Sequence, residues 1–146
     1  ADMAPRAYAP EHEKIIAAQL ALDLKSFSNR QEIEDALAPE IPSLNLRRFL
    51  LKNLGRDEDG SFKWKNNLRG LAENYPQLGE PLSAPVPFTK PALFIRGEKS
   101  NYIGNADEPL IRRLFPQSEI QTIAGAGHWL HADKPEEFLK LVLDFL

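Results

Sequence analysis

Residues 120–135 read Ile-Gln-Thr-Ile-Ala-Gly-Ala-Gly-His-Trp-Leu-His-Ala-Asp-Lys-Pro, and this stretch decides the fold. Its first residues alternate in polarity and are rich in β-branched side chains, which predicts a strand that ends near Ile123. The Ala-Gly-Ala-Gly that follows allows the backbone to turn sharply. Asp133 and Pro135 are expected to cap a closing amphipathic helix. His128 is then held on a loop at the C-terminal edge of a strand, where open α/β sheets place their chemistry.

A second strand is predicted upstream, over the short apolar run from Ala92 to Arg96. Its exit loop reads Gly-Glu-Lys-Ser-Asn-Tyr over residues 97–102. A helix over about 106–115 then leads to the strand that ends near Ile123. The order strand, helix, strand, helix indicates a parallel α/β unit whose strands are buried on both faces.

The segment between residues 9 and 80 has a different character, because helical patterns dominate it. Its apolar spacing predicts four helices, over about 11–24, 29–37, 44–54 and 67–75. Gly55 is expected to close the third helix and Pro76 to end the fourth. A short strand is predicted near Phe62. The segment is much longer than a parallel crossover needs, so we interpret it as an inserted helical lid.

The composition favours a globular protein of single-domain size. The chain has 146 residues and a formal net charge of −3, with acidic and basic residues interspersed. No basic face is available to neutralise phosphates, so nucleic-acid binding is disfavoured, and no apolar run is long enough for a membrane span. The absence of cysteine excludes disulfides and thiol chemistry and fits a cytoplasmic location.

Three segments together resemble the α/β-hydrolases, and among them the YbfF-like esterases. The pattern Gly-x-Gly-His-Trp-x-His-x-x-x-Pro-Glu-x-Phe, over residues 125–138, resembles the loop of the catalytic histidine and the last helix. Residues 91–103 resemble the penultimate strand with its loop, and residues 2–8 resemble the end of an earlier strand. The likeness covers the core segments, and the middle of the chain fits as a variable lid.

The resemblance implies an α/β fold: the C-terminal half of an α/β-hydrolase parallel sheet with an inserted helical lid, or cap. Residues 1–8 would be the end of an inner core strand and the acid loop, residues 9–80 the lid, and residues 81–146 the C-terminal part of the core. Two strands alone cannot give the burial that parallel strands need. The remaining strands are therefore expected from an N-terminal half, upstream or on a second chain.

The same resemblance implies hydrolysis of a small acyl ester or thioester through an acyl-enzyme, and it assigns roles to three residues. His128 would be the general base, Asp2 the acid that orients it, and Ser100 a hydrogen-bonding helper. Most α/β-hydrolases carry the acid after the penultimate strand, so Glu98 is the alternative to Asp2. Adjacent strands lie about 4.8 Å apart, so residues at neighbouring C-terminal edges can both approach the histidine.

The nucleophile is the missing part of this machinery. None of the serines lies in Gly-x-Ser-x-Gly, the strained turn that exposes a nucleophilic Oγ above the sheet. The backbone donors that usually stabilise the oxyanion lie near that turn and early in the fold. We therefore expect this chain alone to be inactive and its N-terminal partner half to carry the nucleophile.

No metal or cofactor is expected. His128 and His131 could face one metal only within a helix, and no glutamate completes a zinc-protease motif around them. We expect His131 to support or pack near the site. Trp64, Tyr102 and Trp129 are the candidate substrate contacts, although aromatic residues at such spacings often serve packing instead.

Two other functions fit parts of the pattern. The lid helices could form a non-catalytic interaction module, which the absent nucleophile would favour. A haloalkane dehalogenase or epoxide hydrolase shares the fold and would carry an aspartate nucleophile upstream.

Overall fold

The computed structural model describes residues 1–146, and their contacts divide the chain into two units. Residues 9–79 form the helical unit, and residues 1–8 with 80–146 form the sheet unit. The helical unit contains α1 (Glu13–Leu20), a 3₁₀ turn (Leu24–Ser26), α2 (Arg30–Leu37), α3 (Leu44–Leu51), β1 (Leu54–Arg56), β2 (Phe62–Trp64) and α4 (Leu68–Leu78). The sheet unit contains β3 (Ala92–Gly97), a 3₁₀ turn (Asn105–Asp107), α5 (Glu108–Leu114), β4 (Ser118–Ile123), α6 (Leu130–Asp133) and α7 (Pro135–Phe145). None of these helices has the length and apolar character needed to cross a membrane.

Polar caps begin three helices of the helical unit. The side chains of Asn29, Ser43 and Asn67 accept backbone N–H bonds from the first turns of α2, α3 and α4. Each cap satisfies a donor that has no partner inside its helix and contributes about 1 kcal/mol. Helices α1, α2 and α3 and the two short strands share one apolar core, whose most deeply buried members are Ile33, Leu37, Ile41 and Leu51.

The prediction that α3 continues to residue 54 and closes at Gly55 is wrong. α3 ends at Leu51, and Gly55 lies in β1, which pairs antiparallel with β2. The guanidinium of Arg56 lies 4.1 Å from the centroid of the Phe62 ring across this hairpin. Leu-Gly-Arg has no β-branched residue and so gives little strand signal, and pairing with β2 determines its conformation.

Two other helix ends differ from the prediction. The first helix covers residues 13–20 only, because the Asp23 side chain accepts from Lys25 N–H and caps a separate 3₁₀ turn. α4 does not end before Pro76 but continues to Leu78. Pro76 lies in the last turn, so its missing N–H removes a single hydrogen bond, and the N–H of Gly79 donates to the Pro76 carbonyl oxygen.

The sheet unit is built on the parallel pair of β3 and β4, in register from Ala92 opposite Ser118 to Gly97 opposite Ile123. One face of the pair packs against α7 through Leu93, Ile95, Ile123, Phe138, Leu141 and Val142. The other face packs against α5 through Phe94, Ile111 and Ile120. Helices thus cover both faces, and the α/β prediction is confirmed, although most strand residues keep partial exposure.

The start of α7 corrects one detail of the sequence analysis. Pro135 is the first residue of α7, as expected, but no side chain caps this helix. Asp133 instead ends the one-turn helix α6, and its carboxylate accepts from the N–H of Gly127 at 2.7 Å. The loop after β4 needs an acceptor for this N–H, and Asp133 supplies it.

The exits of β3 and β4 approach each other closely. A Cβ atom on Gly97 would lie 2.3 Å from the carbonyl oxygen of Gly127 and 2.6 Å from that of Ala126. The N–H of Lys99 donates to the same Ala126 oxygen at 2.9 Å. Position 97 therefore leaves no space for a side chain, and the glycine sets the distance between the two loops.

We predict that Gly97→Ala lowers the free energy of unfolding by about 1–3 kcal/mol, since the added methyl group meets two backbone oxygens. Gly104→Ala is the matched control, because its Cβ would meet only Asp107 Oδ2, at 3.8 Å. The control should change stability by less than about 0.5 kcal/mol. Urea unfolding of both variants tests this, and equal midpoints would contradict the close approach.

Candidate active site

The loop after β4 is held in a defined shape by backbone and side-chain contacts. Gly125 has φ +73°, a left-handed conformation that favours glycine, and its N–H donates to Glu98 Oε2 at 2.8 Å. Ala126 is fully buried. With the Asp133 contact to Gly127, these bonds fix the backbone on both sides of the turn. His128 follows at once, so its position is determined by the fold.

Asp2 occupies the centre of the site. Asp2 is 1% exposed, and its backbone N–H donates to the carbonyl oxygen of Ile95 in β3 at 2.6 Å. Its carboxylate accepts from the N–H of Gly97 at 3.2 Å, from Ser100 Oγ at 2.5 Å and from His128 Nδ1 at 2.8 Å. A buried carboxylate is costly unless hydrogen bonds compensate it, and here three donors do so.

The backbone at Asp2 is also unusual, because its φ is +50°. Asp2 is the only non-glycine residue of the chain in the left-handed region. This conformation costs an L-residue about 1–2 kcal/mol, and a short polar side chain tolerates it best. This backbone conformation directs the Asp2 side chain toward the loops after β3 and β4, where its three donors lie.

His128 combines one buried contact with an accessible ring. A carboxylate only accepts hydrogen bonds, so the Asp2 contact requires a proton on Nδ1, and in the neutral imidazole Nε2 then keeps its lone pair. The side chain is 43% exposed. Its imidazole stacks on the Tyr102 ring, with centroids 3.9 Å apart and planes 18° from parallel. A neutral imidazole with the proton on Nδ1 and a lone pair on Nε2 is the form that a general base needs.

Ser100 connects Asp2 to the loop after β3. Its hydroxyl donates to Asp2 Oδ2 and accepts from the N–H of Tyr102 at 3.2 Å. The hydroxyl cannot act on its own as an activated nucleophile here, because its proton is engaged by the buried carboxylate. It instead fixes the carboxylate oxygen that faces His128. The structure thus brings together Asp2, Ser100 and His128, as the sequence predicted, at the C-terminal edge of the parallel pair.

Comparison with known proteins finds similar sequences. The chain is 32% identical to the esterase YbfF of Escherichia coli over 146 residues, which cover 99% of this chain and 55% of that protein. It is 39% identical to the sn-1-specific diacylglycerol lipase ABHD11 of Mus musculus over 123 residues, which cover 80% of this chain and 38% of that protein. The chain resembles the C-terminal region of the YbfF-like α/β-hydrolases and has their fold. No family model matches it.

Solved structures agree with this likeness. A marine microorganism esterase superposes with a TM-score of 0.93 at 41% identity, over 99% of this chain and 58% of that one. E-2-(acetamidomethylene)succinate hydrolase gives a TM-score of 0.62 at 24% identity, over 95% of this chain and 53% of that one, and it supports the fold. The chain spans 36% of ABHD11 of Xenopus tropicalis and 55% of YbfF.

Glu98, the alternative acid, does not contact the histidine. Its carboxylate accepts from Gly125 N–H and so supports the turn that precedes His128. The carboxylate that reaches Nδ1 belongs to Asp2. The geometry therefore favours Asp2, and the catalytic roles themselves stay predictions.

The three candidate substrate contacts lie in different surroundings. Tyr102 stacks on His128, and Trp129, the next residue along the loop, is 36% exposed. Trp64 belongs to the helical unit, where it packs against the apolar core and its Nε1–H donates to the Gln19 carbonyl oxygen at 3.2 Å. That environment favours a packing role for Trp64.

His131 lies in α6, so a helical turn begins earlier than Pro135 suggested. Its ring meets the Phe138 ring edge-on, with centroids 6.3 Å apart, which is a packing contact. No group of three or more His, Cys, Asp or Glu residues is arranged to hold a metal ion.

Sequence reasoning missed the part played by Gly97, Tyr8 and Arg6. Gly97 gives the close approach of the two loops, which only the tertiary structure reveals. Tyr8 and Arg6 lie within residues 2–8, the segment that resembles a strand end, but a single sequence does not show that Arg6 packs on Tyr8 and Tyr8 on Tyr102. The only signal in the sequence was the presence of an aromatic residue, Tyr8 or Tyr102, after each of these two predicted strand ends.

We predict that the proton of neutral His128 resides on Nδ1, because Asp2 can only accept. Long-range ¹⁵N–¹H NMR of the imidazole should show this tautomer. Asp2→Asn should lose or reverse the preference, since an amide can also donate. Glu98→Gln is the control and should leave the tautomer unchanged. An Nε2–H tautomer in the wild-type chain would contradict the assigned hydrogen bond.

Proposed function

We propose that this chain supplies the catalytic base, the orienting acid and the lid of a serine hydrolase that cleaves carboxylic esters or acyl thioesters. The observation that carries the proposal is the Asp2–His128 hydrogen bond, with Ser100 behind it, at the C-terminal edge of a parallel sheet. The relatives are named as esterases and lipases, which favours acyl esters as the substrate class.

The proposed mechanism assigns each proton transfer to His128. Nε2 takes the proton of a serine hydroxyl as its Oγ attacks the acyl carbon, and Asp2 stabilises the imidazolium that forms. The tetrahedral intermediate collapses, the bond to the leaving oxygen or sulfur breaks, and Nε2 gives the proton to that leaving group. Water then attacks the acyl-enzyme with Nε2 as base, which releases the acid and returns the proton to serine Oγ. No step requires a metal or a cofactor.

The serine is proposed to lie on an N-terminal hydrolase half, because no serine of the 146 residues stands in a Gly-x-Ser-x-Gly turn. The surface of α7 supports such a half. Phe138, Leu141 and Val142 pack inward, yet Leu139 and Leu143 are 56% and 61% exposed. A helix that is apolar on both sides is characteristic of a buried position. We call the chain together with the serine-bearing segment the complemented protein.

Residues 9–80 are proposed to be the lid. Residues 9–79 form a separate unit with its own apolar core, and the catalytic candidates belong to the sheet unit. In this interpretation Trp129, next to His128 in the sheet unit, is the candidate substrate contact.

The complemented protein should hydrolyse a short p-nitrophenyl ester and become labelled by a fluorophosphonate on a serine outside residues 1–146. Residues 1–146 alone should do neither. His128→Ala should abolish turnover, because the general base is lost, while His131→Ala should reduce it far less.

A chelator should leave the rate unchanged. Near-full turnover in His128→Ala would contradict the proposal. Hydrolysis of a haloalkane or epoxide without serine labelling would indicate the aspartate-nucleophile enzymes. A complemented protein with neither labelling nor turnover would favour the interaction module.

The identity of the acid is a separate prediction. Asp2→Asn should lower kcat by about 10⁴-fold, the order expected when the orienting acid of a Ser-His-Asp triad is lost. Ser100→Ala should give an intermediate loss, because Asp2 keeps two of its three donors. Glu98→Gln is the matched carboxyl-to-amide control and should do little. Steady-state kinetics of the three variants decide the ranking, and a larger loss in Glu98→Gln would move the acid to Glu98.

A further inference from the structure

Four side chains of the sheet unit form a continuous stack that ends on the proposed general base. The Arg6 guanidinium lies 4.2 Å from the centroid of the Tyr8 ring. The Tyr8 and Tyr102 rings stack with centroids 5.4 Å apart and planes at 28°. Tyr102 in turn stacks on His128 at 3.9 Å and 18°. We call Arg6, Tyr8 and Tyr102 the aromatic stack.

The far end of the aromatic stack is anchored by an ion pair. Arg6 Nε lies 3.0 Å from Asp107 Oδ1, and another guanidinium nitrogen donates to the Asn101 carbonyl oxygen at 3.1 Å. Asp107 is itself mostly buried and accepts from the N–H of Gly104. These contacts hold the guanidinium in one place, so Tyr8 packs against a fixed surface.

The middle of the aromatic stack is fixed by the Tyr8 hydroxyl. It accepts from the N–H of Ala4 at 2.7 Å and donates to the carbonyl oxygen of Tyr102 at 2.7 Å. Burial raises the pKa of Tyr8, so the hydroxyl stays protonated and remains a donor. Tyr102 is held from the other side by its backbone N–H, which donates to Ser100 Oγ. The ring of Tyr102 is thus carried by a backbone bonded at both its N–H and its C=O.

A single hydrogen bond fixes only one point of an imidazole. Asp2 holds Nδ1, but the ring could still tilt about that contact, and a side chain that is 43% exposed has few neighbours to prevent it. A near-parallel ring at 3.9 Å opposes this tilt, because any rotation drives the imidazole into the Tyr102 face or away from it. The direction of the Nε2 lone pair depends on that angle.

We propose that Tyr102, supported by Tyr8 and Arg6, is a positioning residue that sets the plane of the His128 imidazole. The inference rests on the proposed function, because the benefit is a correctly aimed Nε2. It also gives Tyr102 a role other than the substrate contact suggested by the sequence. Two rings already stack on Tyr102, which reduces the ring surface that an acyl chain could contact.

The test compares Tyr102→Leu with Tyr102→Phe in the complemented protein. Leucine removes the flat ring, and kcat should fall by about 10- to 100-fold because the base is misdirected, while KM changes by less than about twofold. Phenylalanine keeps the ring and should retain kcat within about twofold. In NMR spectra, the ring protons of His128 should be shifted upfield by the Tyr102 ring current in wild type and in Tyr102→Phe, and not in Tyr102→Leu.

Phe115→Leu is the matched control for the loss of an aromatic ring. Phe115 contacts the Phe94 and Phe88 rings at 5.2 and 6.0 Å, on the α5 side of the sheet unit. It should lower stability without changing kcat or the His128 resonances. If Tyr102→Leu loses stability as Phe115→Leu does but keeps kcat, the inference is wrong.

Two other outcomes separate this inference from the proposed function. A raised KM with unchanged kcat and an unchanged His128 spectrum in Tyr102→Leu would make Tyr102 a substrate contact and overturn the positioning role. If the wild-type complemented protein shows no hydrolysis and no serine labelling, the proposed function fails. The ring-current comparison does not depend on turnover, so it still tests whether Tyr102 holds the His128 ring. An unchanged His128 spectrum in Tyr102→Leu would overturn the positioning role.

Discussion

The structure of the site depends on one buried carboxylate. Asp2 is bonded through its backbone to β3 and through its side chain to Gly97, Ser100 and His128, so one residue joins three segments. Removing any donor would leave part of a buried charge unsatisfied, which costs more than an ordinary hydrogen bond contributes. The geometry of the histidine therefore depends on all of these segments at once, and the left-handed backbone of Asp2 is kept because its donors require it.

Two glycines allow these segments to approach each other. Gly97 has no side chain to separate the exit of β3 from the loop after β4, and Gly125 turns that loop with a positive φ while Glu98 accepts its N–H. The carboxylate of Glu98, the alternative acid, thus has a structural role, because it supports the turn that precedes His128. Two acidic side chains, Asp2 and Glu98, serve the same loop, but only one of them contacts the imidazole.

The sequence predicted the parts of this site that follow from strand order, and it failed where tertiary contacts decide. Asp2, Ser100 and His128 could be placed together because the family resemblance put Asp2 after a core strand and because parallel strands bring their C-terminal ends to one edge. Gly55 and Asp133 were assigned to helix ends from local preference. In the structure Gly55 lies in β1 because that segment pairs with β2, and the Asp133 carboxylate accepts the N–H of Gly127. Tyr102 was interpreted as a substrate contact, since a sequence cannot show which ring lies against which.

The arrangement also separates the geometry of the candidate site from the helical unit. Asp2 and His128 are 126 positions apart in sequence, yet every residue that fixes their contact belongs to the sheet unit. The helical unit lies between Tyr8 and Glu80 in the chain and has its own apolar core. Its caps and core residues can therefore change without altering a hydrogen bond to Asp2. Under the proposed lid role, an insertion at this place lets substrate preference vary while the orientation of the proposed base is preserved.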